Sequence, residues 1–123
     1  MSIATLIDEI TSVSIEHQND DWDGCGATGI SFYTVHKAIE HALSLPVGFK
    51  MPEVLPGNGG MIEFEWTRDR QNFSIYIQDR NKPTLYALID SENNHCSGRF
   101  AEIDDGYPFV VFYLLVCIGA YES

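Results

Sequence analysis

Met61-Ile62-Glu63-Phe64-Glu65-Trp66-Thr67 alternates strictly, with Ile62, Phe64 and Trp66 on one side and Glu63 and Glu65 on the other. Successive strand side chains point to opposite faces, so a period of two marks a strand with one buried and one open face. The pattern continues downstream. Asn72–Gln78 places Phe73, Ile75 and Ile77 inward, after the turn Arg68-Asp69-Arg70-Gln71. Thr84–Asp90 reads as a third strand with Leu85, Ala87 and Ile89 inward, after the turn Asp79–Pro83, and Ser97–Ile103 as a fourth. Consecutive strands with short turns form an antiparallel meander. In this phase Tyr76, Tyr86 and Leu88 fall beside the glutamates on the outer face. They make it more apolar than solvation needs, as a binding surface would be.

Helical spacing flanks this core. Ile3, Leu6, Ile7, Ile10 and Val13 line one face of an amphipathic helix over residues 3–16, with Ser2 as N-cap and Asp8 and Glu9 pointing outward. A second helix starts at Ile30-Ser31-Phe32. Ser31 caps it, Ile30 and Val35 fit a hydrophobic staple, and Val35, Ala38, Ile39, Ala42 and Leu43 form its buried face. Pro46 and Gly48 stop it. Residues 46–60 hold three prolines and four glycines and read as a structured surface loop. Asp104-Asp105-Gly106-Tyr107-Pro108 opens a last helix, followed by an unbroken apolar run from Phe109 to Ile118. A membrane span needs about 20 such residues, so this run is a buried helix or a subunit contact. The expected fold is a single α+β domain over residues 1–123. It has two N-terminal helices, an antiparallel meander of three to four strands, and a C-terminal apolar helix packed on one sheet face.

The chain holds 18 acidic and 7 basic residues, a formal charge of −11. That sign argues against direct nucleic-acid binding and against anionic membranes, and favours a basic partner or plain solubility. Residues 1–67 carry ten acids and two bases, whereas 68–99 carry four acids and five bases. Three cysteines, Cys25, Cys96 and Cys117, make no CxxC pair, and Met1-Ser2-Ile3-Ala4 lacks a basic leader. A reducing cytoplasm is the expected home.

Between the first two helices lies Asn19-Asp20-Asp21-Trp22-Asp23-Gly24-Cys25-Gly26-Ala27. With Leu45-Pro46, Pro52, Pro56 and Gly60-Met61-Ile62-Glu63-Phe64-Glu65-Trp66, it resembles a group of small, largely uncharacterised bacterial and phage proteins. Their pattern is W-D-G-x-G-A … G-x-I-x-x-E-W, and the resemblance covers roughly residues 20–90. In that group an aromatic often fills the place of Cys25, and a proline often stands where this chain has Gly29. The resemblance implies no reaction, cofactor or catalytic residue.

The residues taken by themselves mark no chemistry either. Asn19, Asp21, Asp23 and Gly24 match the start of a calcium loop, but the twelfth position is Ile30 and not glutamate, so the stretch reads as a turn. His36, Glu40 and His41 read as a solvated helix face, with His41 about 140° round from His36. Carboxylates around Cys25 raise a thiol pKa and oppose a nucleophilic role for it, whether the base were His17, His36 or His95. No metal, cofactor or catalytic group is assigned. Trp22 either folds onto the core or anchors a partner.

The leading expectation is an acidic, non-enzymatic module that binds and inhibits or neutralises a basic protein or nucleoprotein complex. Phage anti-defence, immunity and antitoxin proteins work by that logic. The contact residues expected are Asp20, Asp21, Trp22, Asp23, Glu63, Glu65, Asp104 and Asp105. The alternatives are a structural or oligomeric module, with a homodimer contact over Phe109–Ile118, and a small ligand-binding protein or hydrolase.

Overall fold

The computed structural model describes residues 2–20, 28–92, 95–102 and 107–122. Helices α1 (Ile3–Glu16) and α2 (Phe32–Leu43) precede five strands, β1 (Glu53–Gly57), β2 (Met61–Arg68), β3 (Gln71–Ile77), β4 (Leu85–Glu92) and β5 (His95–Glu102). Helix α3 (Tyr107–Ile118) follows. The strands lie in sequence order in one antiparallel sheet. The architecture is the α+β meander expected from the sequence, with helices against one sheet face.

Both N-terminal helices are capped by the expected serines. The Ser2 hydroxyl accepts from the Thr5 amide at 3.2 Å, and Ser31 accepts from the Thr34 amide at 3.3 Å. Each satisfies an amide that the helix leaves without a partner. Ser31 also donates its proton to Asp79 Oδ1 at 2.8 Å, which ties the start of α2 to the β3–β4 loop. At its end α3 closes in a Schellman motif. Gly119 adopts φ +67°, its amide bonds the Val116 carbonyl, and the Ala120 amide bonds the Leu115 carbonyl. Arg68 donates to the Gly119 carbonyl, so a strand cation completes the negative end of the helix.

One continuous core lies between sheet and helices. Leu6 and Ile10 from α1, Ala38 and Ala42 from α2, and Val111, Leu114 and Leu115 from α3 meet Phe64, Phe73, Ile75 and Ile77. Trp66 stacks on Phe73 with ring centroids 5.3 Å apart and donates its indole N–H to the Lys50 carbonyl at 2.7 Å. Leu43, expected on the buried face of α2, is exposed, and Thr34 is buried on that helix instead.

Two further expectations are corrected. The loop 46–60 contains a strand, β1, which pairs Val54 with Phe64 and Leu55 with Glu63. Pro56 is tolerated because an edge strand leaves one row of backbone groups unpaired. The phase of β4 is also shifted by one residue. Phe73 pairs with Leu88 and Ile75 with Tyr86, so Tyr86 and Leu88 pack against the core. Leu85, Ala87 and Ile89 share the outer face with Tyr76, Ser74 and Asn72.

Candidate functional site

The sheet face turned away from the helices carries the acidic residues. Its rungs follow from register: Leu55, Glu63, Tyr76, Leu85 and Glu102 form one row, and Glu53, Glu65, Ser74 and Ala87 the next. Glu53 and Glu65 are direct cross-strand partners, and Glu63 lies two residues along from Glu65, about 7 Å away by strand geometry. Three carboxylates thus share one patch, bordered by the apolar side chains of Leu55, Met61, Tyr76 and Leu85. Ser74 and Ala87 form a buried floor.

A chain of hydrogen bonds orients Glu65. Ser74 donates to Asn72 Oδ1 at 2.9 Å, Asn72 Nδ2 donates to Thr67 Oγ1 at 3.1 Å, and Thr67 donates to Glu65 Oε1 at 3.3 Å. Glu63 is held differently. Partial burial pushes its carboxyl above the ordinary value, and the charges of Glu65 and Glu53 push it further. The nearby hydroxyls of Tyr76 and Ser74 oppose that rise without cancelling it. Burial raises the Tyr76 phenol as well, and the Glu63 charge adds to the rise. This face therefore stores like-charge repulsion that an incoming cation would relieve.

The acidic patch does not end at the sheet edge. A cleft of about 400 Å³ between α1 and β1 is lined by Asp8, Glu9, Glu16 and Glu53, with Thr5, Ser12, Val13 and Val54. Among the described residues it contains four carboxylates and no lysine or arginine. Glu53 belongs to both sites, so carboxylates run from α1 over the edge strand to the open sheet face. Nothing in the sequence pairs Asp8, Glu9 or Glu16 with Glu53. The outward positions of Asp8 and Glu9 were legible, but the common edge of the three depends on β1. At the ends of β1 and β2 away from their hairpin, a second cleft of about 260 Å³ brings Lys50 and Arg68 beside Glu53 and Glu65, which sets a basic border to that end of the band.

Of the residues singled out from sequence, Glu63 and Glu65 lie in this patch. Asp20 is exposed, and its Oδ1 accepts from the Gly29 amide at 2.9 Å, closing the base of the connection between α1 and α2. That base meets the β1–β2 hairpin: a Cβ on Gly60, which has φ +74°, would sit 2.7 Å from the Gly29 carbonyl. Asp20 is thereby placed toward the same edge of the sheet. Asp21, Trp22, Asp23, Asp104 and Asp105 lie outside the described residues, as does Cys25. Glu102 on β5 lies three strands from β2, a distance of about 14 Å.

The histidines separate. His36 Nε2 meets Glu40 Oε1 at 2.8 Å on the solvated face of α2. His41 leaves that face, places Nε2 3.2 Å from the Thr84 hydroxyl, and lies 4.1 Å from the Tyr107 ring. The solvated reading thus holds for His36 and Glu40 and is corrected for His41. Among the described residues, no three His, Cys, Asp or Glu side chains are grouped so as to hold a metal ion.

An apolar cleft of about 530 Å³ lies between α1 and α2 and is lined by Ile15, Ile30, Phe32 and Val35, with polar but no ionisable neighbours among the described residues. The raised carboxyl of Glu63, in turn, sits on an open face and not in this cleft. Among the described residues, no helix is long and apolar enough to cross a membrane. Comparison of the chain with protein-family models, curated proteins and solved structures finds no match.

Proposed function

We propose that this protein is a non-enzymatic, cytoplasmic binding module that docks a basic partner protein along the acidic band and inhibits or neutralises it. The observation that carries this reading is the continuity of Asp8, Glu9, Glu16, Glu53, Glu65 and Glu63 from helix to sheet face, with a cleft in its middle that no lysine or arginine lines among the described residues. A basic partner would insert lysine or arginine side chains where like charges now face one another, and long-range attraction would speed the encounter. Leu55, Tyr76 and Leu85 would supply the apolar contact that gives such an interface its lifetime. The partner's chemistry is a Lys/Arg-rich surface of the kind that binds nucleic acid, and occupying that surface is the means of inhibition. The link to phage anti-defence, immunity and antitoxin proteins is one of shared logic.

The test is affinity capture from a native-host lysate with wild-type protein and with a variant carrying Glu53→Lys, Glu63→Lys and Glu65→Lys. The wild type should retain basic proteins in a salt-sensitive way, and the variant should lose them while keeping its circular dichroism spectrum. Equal capture by both proteins would remove the acidic band from the explanation.

A further inference from the structure

Helix α3 has a second apolar face that the fold leaves open. Tyr107, Val111, Leu114, Leu115 and Ile118 are buried against the sheet. On the other side Phe109 is 82% exposed and Tyr113 62%, with Phe112, Val116 and Tyr121 also exposed. The patch is ordered in advance: Phe49 packs edge-on to Phe112 at 5.7 Å and stacks on Tyr121 at 5.2 Å. Beside it Tyr86, Phe109, Val110, Tyr113 and Leu114 line a notch of about 290 Å³.

We infer that this face is a self-association surface, on which a second copy of the chain docks its own α3 across a two-fold axis. Charge selects the occupant. Helix α3 holds no ionised residue from Tyr107 to Ile118, in a chain of net charge −11. Two copies repel wherever their acidic bands would meet, and docked α3 helices bring no carboxylate of their own together. A basic partner gains no ion pair from α3, which holds no acid between Tyr107 and Ile118. A second copy brings an equally neutral, apolar surface, and a two-fold contact is self-complementary by construction. The area is adequate. The four exposed rings offer about 500 Å², and flanking residues extend this toward the roughly 600–800 Å² per partner of a stable interface. Rings already held by Phe49 lose little freedom on docking. The inference is independent of the basic-partner reading, because the acidic band lies across α1, β1 and the opposite sheet face.

Sedimentation equilibrium over a wide concentration range tests it, on the wild type, a Phe109→Glu/Tyr113→Glu variant and a Phe32→Glu control. Phe32 is 91% exposed on α2, away from the patch. The wild type should be a dimer, the double variant should raise the dimer Kd about 100-fold or more, and the control should match the wild type. At concentrations below the wild-type dimer Kd all three should melt alike, since every substituted side chain is exposed, and above it only the wild type and the control should gain stability with concentration. A wild type that stays monomeric at millimolar concentration overturns the inference. So does a double variant that still dimerises, a control that dissociates equally, or a monomer that floats with lipid vesicles through these rings.

Discussion

Replacing Glu63 with glutamine should stabilise the fold at neutral pH and leave it unchanged in acid. Glu63 faces Glu65 along β2 and the Glu53–Glu65 pair across the β1 edge, and its carboxyl is raised by burial and by both charges. A raised folded-state pKa means that the unfolded chain gives up this proton first as pH rises past the ordinary value of 4.5. From there upward the unfolded state binds fewer protons than the folded one, so the contribution to stability falls as pH rises. Below 4.5 both states are protonated and the penalty is absent. Like charges on adjacent strands cost about 0.2–1 kcal/mol, and much of Glu63 is open to screening. A gain of about 0.5 kcal/mol at pH 7 is therefore expected. In a domain of this size it corresponds to about 2 °C in melting temperature. The glutamine oxygen can still accept from Tyr76, so little hydrogen bonding is lost. Calorimetric melting of wild type and Glu63→Gln at pH 7 and pH 4 decides the matter. A variant less stable at pH 7, or a gain that persists unchanged at pH 4, would refute the stored repulsion.

Other substitutions probe the framework that holds the site. The Tyr107 hydroxyl is buried without a hydrogen-bond partner among the described residues, and burial raises its pKa far above the ordinary phenol value. Tyr107→Phe should therefore stabilise by about 1 kcal/mol in a denaturant titration, with the ring contact to His41 retained. Trp66→Phe removes the bond to the Lys50 carbonyl and leaves a void beside Phe73. It should cost about 2–3 kcal/mol by the same measurement. Gly29→Ala would put a Cβ 2.4 Å from the Gln18 carbonyl and should cost about 1–3 kcal/mol. Gly29→Pro should cost at least as much, because it also removes the amide that binds Asp20.

The meander was readable because β2 and β3 alternate cleanly, and the serine caps and Pro108 fixed the helix starts. Strand β1 was hidden by Pro56 and by the surrounding glycines, which signal turns when read locally. Only pairing with β2 makes an edge strand of them. The phase of β4 was not legible because Leu85-Tyr86-Ala87-Leu88-Ile89 is apolar at every position. A period of two carries no phase without contrast. The cross-strand match of Tyr76 with Leu85 sets it, and this sends Tyr86 and Leu88 into the core. For the site, Glu63 and Glu65 could be placed on one face from spacing alone. The contribution of Asp8, Glu9, Glu16 and Glu53 could not, because it arises where α1 lies beside an edge strand that the sequence does not announce.

Where a cation prefers to dock can be measured directly. Isotope-labelled protein titrated with a short arginine-rich peptide, followed by amide chemical-shift mapping, reports every contact at residue level. The expected shifts cluster on α1 from Asp8 to Glu16, on Glu53, and on Glu63 and Glu65, and they vanish in the triple lysine variant. Shifts spread evenly over Asp69, Asp79, Asp90 and the other surface acids would contradict a dedicated acidic band.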